Sequence, residues 1–146
     1  MKQVDVVGAV IRNGAGEILC ALRAPGMSMA GLWEFPGGKI EPHETPAETL
    51  VREIREELGC QIQVGELVAD VTHQYSTVEV HLRTYEATVV NGEPTAREHA
   101  ELRWLALADL PGLNWAPADI PTVKRLTDGV TAPSMGAVTR QAWASS

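Results

Sequence analysis

The chain is poor in cysteine. Cys20 and Cys60 are the only two, too few for a disulfide framework and with no second thiol or imidazole at the spacing a structural metal site needs. Both sit among apolar neighbours and are expected as buried thiols. Aromatic residues are scarce at 5%, with a single phenylalanine, so a core has to be built from Val, Leu, Ile and Ala. Cations are outnumbered, 12 Lys and Arg against 19 Asp and Glu, for a net charge of −7. That balance argues against a nucleic-acid polymer, which requires a basic footprint, but leaves room for a small phosphorylated ligand that arrives with its own cation. No apolar run is long enough to span a bilayer, no internal repeat is visible, and a strand pattern beginning at Val4 leaves no room for a signal peptide. The absences together predict a cytoplasmic protein without membrane contact. Its 146 residues suit one domain, burying about two-thirds of its unfolded surface, as a monomer or a homodimer.

What is present alternates between two periods. Val4 to Ile11 is a nearly continuous apolar run, as in a strand covered on both faces. Asn13-Gly14-Ala15-Gly16 reads as a turn and Glu17 to Leu22 as a second strand. A loop over Arg23 to Ala30 precedes a short strand, Gly31 to Phe35, which leads into Pro36-Gly37-Gly38, where two glycines ahead of an acidic helix let the backbone approach a metal or phosphate closely, a plain turn being the alternative. Later strands are predicted over Ile62 to His73, with a bulge near Gly65, and from Val78 to Val89, where a phase change points to a bulge near Thr84. Asn91-Gly92 is a hairpin signal, followed by alternation over Glu101 to Leu107 and a turn at Asp109 to Gly112. A short helix opens at Ala118 to Pro121 and runs to about Thr127. Residues 129–146 read as a mobile tail after a domain of residues 1–128. The order predicts an α/β fold with a mixed sheet between helical layers.

The stretch from Thr45 to Gly59 carries the chemistry. Thr45 is an N-cap, Pro46 suits the first helical position, Glu48 completes a capping box, and Gly59 supplies a left-handed stop. Ala47, Leu50, Val51, Ile54 and Leu58 form the apolar stripe, with Glu53, Glu56 and Glu57 on an adjoining arc. Acids gathered at the rim of a core repel one another unless a cation joins them, and oxygen ligands of this kind suit Mg²⁺ or Mn²⁺. The plainer alternative is a solvated acidic face with Glu48–Arg52 and Arg52–Glu56 pairs one helical turn apart.

The spacing favours the first reading. Gly38, then Glu44 after five residues, then, seven further on, Arg52-Glu53-Ile54-x-Glu56-Glu57-x-Gly59-Cys60 resembles the Nudix box at each of its defined positions. Residues 4 to about 128 resemble the MutT branch of that family, through Arg12-Asn13, Arg23, the run Trp33 to Lys39, and Glu98. Within the branch, Ala116 to Pro121 is similar to the cytidine-triphosphate pyrophosphohydrolases. The resemblance implies a Nudix-type α/β/α sandwich with a mixed β-sheet. It also implies Mg²⁺-dependent hydrolysis of nucleoside triphosphates, such as 8-oxo-dGTP or CTP, to a monophosphate and pyrophosphate. It assigns Glu53, Glu56, Glu57, Glu98 and the Gly37 carbonyl to the metal, with Glu53 as first choice for the base and Glu98 as second. Arg52 braces the helix against Glu41 or Glu44. Arg23, Glu34, Phe35, Gly38, Lys39, Tyr75 and Asp119 make up the substrate-binding set.

Several positions keep a second meaning. Glu98 is equally an exposed loop charge beside Arg97, Asp119 equally a helix cap, and Tyr75 equally a half-buried strand tyrosine. An ionised Asp119 would accept from the N4 amine of cytosine or from the N7–H of 8-oxoguanine. His43, His73, His81 and His99 show no ligand spacing and receive no role. A hydrolase of another nucleoside diphosphate derivative and a non-catalytic nucleotide sensor remain as alternatives.

Overall fold

The computed structural model describes residues 2–128; the expected tail over 129–146 lies outside the described residues. The elements are β1 (Lys2–Arg12), β2 (Ile18–Leu22), β3 (Trp33–Glu34), β4 (Gly37–Lys39), α1 (Pro46–Leu58), β5 (Gln61–Gln74), β6 (Val78–Asn91), β7 (Glu101–Leu105) and α2 (Ile120–Thr127). Single 3₁₀ turns cover Leu107–Gly112 and Pro117–Asp119.

β1 is the axis. One edge pairs in parallel with β6 along its whole length, from Lys2 opposite Val78 to Arg12 opposite Thr88. The other edge is shared, β4 pairing antiparallel with Val6 to Gly8 and β2 joining at Arg12. β2 then carries both β3 and β7, and β5 closes the far side of β6. The sheet is therefore mixed, as expected. Val7, Ala9 and Ile11 pack under α1 with Leu50, Ile54 and Leu58. Val10 points the other way, into a layer of Trp33, Phe35, Leu110, Trp115 and Val123. The two-sided covering explains why β1 reads as an unbroken apolar run.

Local expectations fail in three places, and at a fourth, Gly37-Gly38, the plain-turn alternative gives way to strand because Val7 and Gly8 of β1 lie opposite it. The phase change in β6 is not a bulge in that strand, whose register with β1 is unbroken through Thr84. Both its faces are covered, Thr84 meeting the Thr122 hydroxyl at 2.9 Å while Tyr85, Ala87 and Val89 pack on the α1 side. Extra residues belong to β5, one between Val64 and Leu67, opposite Ala87 and Tyr85, and one between Leu67 and Ala69, opposite Tyr85 and Thr84, close to the irregularity predicted near Gly65. Asn91-Gly92 forms no hairpin, since β7 pairs with β2. The chain between them instead crosses the end of α1: the Thr95 and Arg97 N–H groups donate to the carbonyls of Leu58 and Glu57, at 2.9 and 3.4 Å, and Arg97 Nη1 donates to that of Arg55 at 3.4 Å. Helix-end carbonyls without intrahelical partners find them in this strap. The last strand stops at Leu105, short of the Leu107 expected, and Leu107 opens the following 3₁₀ turn.

Across β1, β6 and β5, His81 lies between two acids, with Nδ1 2.8 Å from Asp5 and Nε2 2.6 Å from Asp70. Both bonds raise its pKa, the one to Asp70 most. A raised folded value means that the stabilisation is present below the ordinary histidine range and lost as pH rises through the folded value. Urea denaturation across neutral pH should show that slope in wild type and a flatter one in His81→Gln. The difference should stay under about 1 kcal/mol, because both aspartates are exposed. Parallel curves for the two proteins would remove the pairing.

Candidate active site

α1 presents the acids as its capping dictates. The Thr45 hydroxyl accepts from the Glu48 N–H at 3.2 Å and Glu48 returns the bond to the Thr45 N–H at 2.8 Å. Glu48 is thus a cap, not the Arg52 partner of the plainer reading. Arg52 instead grips Glu44 through two bonds of 2.7 and 2.9 Å, and the Thr49 hydroxyl adds a third to the same carboxylate. Of the two braces considered, Glu44 is the one used. The guanidinium holds Glu44 down at about 2, and Arg52 is raised in return.

Arg52 Nη1 also donates to Glu53 at 2.7 Å and lies 3.5 Å from Glu56. Glu53 is drawn towards β4, its carboxylate filling the space where a Cβ on Gly38 would be. Glu57, one turn on, is 8% exposed, and its Oε1 is buried without a partner. Burial pushes its carboxyl up to about 10, aided by the Glu53 bond and charge and by the charges of Glu34 and Glu98. Glu56 is mostly in solvent, with its side chain 56% exposed. The structure therefore brings Glu53 and Glu57 together and leaves Glu56 at the margin. Glu98 is an exposed residue of the strap, near enough for Glu57 to feel its charge.

Among the described residues no three Asp, Glu, His or Cys side chains already surround one point. The donor set nevertheless fits a hard divalent cation. It offers carboxylate oxygens, one of them buried and orphaned, on a group whose pKa burial and then neighbouring acids push up, a cost that a cation would relieve. Lys39 is exposed, while its carbonyl faces Arg52 Nη2 at 3.5 Å.

A second cluster of the expected site residues is built around β3. Arg23 Nη1 donates to Glu34 Oε1 at 2.8 Å, and the Phe35 N–H donates to Asp119 Oδ1 at 3.2 Å. Asp119 occupies the N-cap position of α2 but makes no side-chain capping bond, which sets the cap reading aside. Burial, then the charge of Glu34, holds its carboxyl well above the usual range, against the pull of the Phe35 N–H and Arg23. The ionised acceptor expected from sequence is thus biased towards the neutral acid, which both donates and accepts. Tyr75 lies just past β5; its hydroxyl accepts from the Ala118 N–H at 3.2 Å and so props the segment that ends in Asp119. Phe35 is stacked on Trp115, with ring centroids 4.7 Å apart.

One residue of this cluster escapes a reading of the sequence. His99 is bonded to Glu34 at 2.8 Å, across 65 positions of chain, and no local spacing announces such a contact.

An acid-bearing helix, a Gly-Gly strand against its carboxylates and a mixed sheet between helices mark the chain as a member of the Nudix family, whose domain matches residues 2–126. It is 42% identical to the CTP pyrophosphohydrolase of Escherichia coli over 124 residues, 85% of this chain and 91% of the other. With the 8-oxo-dGTP diphosphatase of the same organism it shares 33% over 126 residues, 86% and 98% of the two chains. A solution structure of a Staphylococcus aureus Nudix hydrolase, described as the DNA mismatch repair protein MutT, superposes with a TM-score of 0.71 at 47% identity, covering 88% of this chain and all of the other. Nudix hydrolases generally use divalent metal ions. The relatives agree with the expected family, fold and branch.

Proposed function

We propose that the protein is a nucleoside triphosphate pyrophosphohydrolase that releases a monophosphate and pyrophosphate and clears unwanted nucleotides from the cytoplasmic pool. The observation that carries this is the Glu53–Glu57 pair. Two carboxylates are pressed together beside a glycine strand, one with an orphaned oxygen, and the charge of Glu34 acts both on Glu57 and on the buried acid Asp119. Glu53, Glu56, Glu57, Glu98 and the Gly37 carbonyl would hold Mg²⁺, or Mn²⁺ in its place. The ion supplies charge neutralisation at the phosphates and a more acidic water. Glu53 would orient the attacking water or take its proton, Glu98 being the second choice. Arg52 and Glu44 fix the helix from which Glu53 acts. Gly38 and Lys39 border the phosphates, and Arg23, Glu34, Phe35, Tyr75 and Asp119 border the base. The names of the two E. coli relatives support cytidine triphosphates and 8-oxo-dGTP as the substrates to test first.

The test is pyrophosphate release over canonical, oxidised and methylated nucleoside triphosphates. Turnover should require Mg²⁺, vanish in excess EDTA, and be matched by a rise in melting temperature with Mg²⁺. Full activity in EDTA would remove the mechanism.

Asp119→Asn probes the base. The amide offers donors and an acceptor, as the neutral acid does, but cannot ionise. A bound cytosine would draw Asp119 back to the ionised acceptor through its N4 amine, which the amide cannot match, whereas the amide can donate to the carbonyl of 8-oxoguanine, so kcat/KM for CTP should fall about tenfold relative to 8-oxo-dGTP. Stability should rise towards alkaline pH relative to wild type. A raised folded pKa means that the wild type loses stability as pH climbs above the unfolded value, and the amide has no such loss. An unchanged substrate ratio would withdraw Asp119 from the base site.

A further inference from the structure

His99 has no part in the chemistry above, yet its side chain is 1% exposed and lies between Glu34 and Glu57. Its Nε2–H donates to Glu34 Oε2 at 2.8 Å. The other oxygen of Glu34 accepts from Arg23 at 2.8 Å, so the carboxylate is held on both sides. The same nitrogen is 4.0 Å from Glu57 Oε1, too far for a hydrogen bond, which commits the imidazole to the base end and not to the acid pair. Its Nδ1 is buried without a partner. An apolar side chain would fill this space without stranding a nitrogen, so packing alone does not account for an imidazole here. Glu34 in turn precedes Phe35, whose N–H is bonded to Asp119, and its charge acts on Asp119 directly. With Arg23 alone, Glu34 would swing about a single contact; the second bond fixes the plane of its carboxylate.

We infer that His99 is a positioning residue that locks Glu34 and so sets which nucleobase the cleft accepts. This rests on the nucleotide reading given above. His99 touches neither the phosphates nor the reacting water. It rides on the strap pinned to the end of α1, so the base-side acid takes its position from the helix that carries the acid pair.

Two substitutions separate positioning from packing. His99→Leu keeps roughly the volume and loses the donor, whereas His99→Gln presents an N–H near the position of Nε2. With the preferred nucleotide, His99→Leu should raise KM about tenfold or more and reduce discrimination against other bases by a similar factor. Its kcat should change less than about threefold, and the Mg²⁺ midpoint should stay in place. His99→Gln should recover most of the lost discrimination, and His99→Leu combined with Glu34→Gln should be no worse than the poorer single variant. Equal behaviour of the Leu and Gln variants would overturn the inference. So would a loss confined to kcat and the Mg²⁺ midpoint, which would move His99 to the Glu57 end. A readout without turnover is the ¹⁵N spectrum of the free protein. A slowly exchanging His99 Nε2–H that shifts in Glu34→Gln supports the lock, and its absence from wild type overturns it. If wild type hydrolyses no nucleoside triphosphate, the functional reading fails, and the lock to Glu34 is decided by the spectrum alone.

Discussion

Glu53→Gln is expected to lower kcat by at least about 10²-fold while the protein keeps its fold. The substitution leaves the shape of the side chain unchanged. One oxygen remains to accept from Arg52 Nη1, so the bond that orients the side chain survives. What disappears is the charge that would hold the cation and the basicity that would act on the water. The same charge raises the pKa of Glu57, so the free variant should be as stable as wild type or more so, and Glu57 should ionise more readily. Single-turnover kinetics and a thermal melt on the same preparation decide the matter. Activity within a few-fold of wild type, joined to a collapse in melting temperature, would make the acidic cluster structural.

The adjoining glycines of β4 should fail in opposite ways. A Cβ on Gly37 would overlap the backbone carbonyl of Val7, and backbone in the middle of a sheet has nowhere to go. Gly37→Ala should therefore cost about 1–3 kcal/mol or more, enough to lower the melting temperature by several degrees at the least. A Cβ on Gly38 would overlap the carboxylate of Glu53 instead, the end of a side chain that can turn away. Gly38→Ala should keep nearly all its stability and lose activity almost as Glu53→Gln does. Denaturation midpoints with kcat for both variants test the pair. A Gly38→Ala protein of full activity would show that Glu53 does not need its present position.

These two glycines also lie on the border between what the order of amino acids makes legible and what it hides. α1 is legible to its caps, because Thr45, Pro46, Glu48 and Gly59 act within one helical turn of the ends they define. The Arg52 brace is nearly so, since Glu44 is only eight positions away and two acids are in reach. β4 is not. A Gly-Gly pair carries turn chemistry locally, and only the approach of Val7 and Gly8, some thirty positions earlier, makes it a strand. The same holds for Asp119, whose place in the chain suits a cap while its bond goes to Phe35, 84 positions back. The family resemblance finds Glu53, Glu56 and Glu57 because they lie in one continuous stretch. It is silent on His99, whose partner lies on β3, 65 positions back.

The strap over the end of α1 has a consequence for how the molecule tolerates changes in length. The Thr95 N–H is fastened to Leu58 on one side of Glu98 and His99, and the Ala100 N–H to Leu22 on the other, with bonds of 2.9 Å each. Between these fastenings the Arg97 N–H adds a third bond, to the Glu57 carbonyl at 3.4 Å. A residue inserted at 96–99 would have to bulge out and take Glu98 or His99 with it, whereas one inserted next to Glu93, before the first fastening, would leave both in place. Two neighbouring stretches of one surface connection should thus differ in plasticity: the first can take up a change in length, and the second behaves as an extension of the helix.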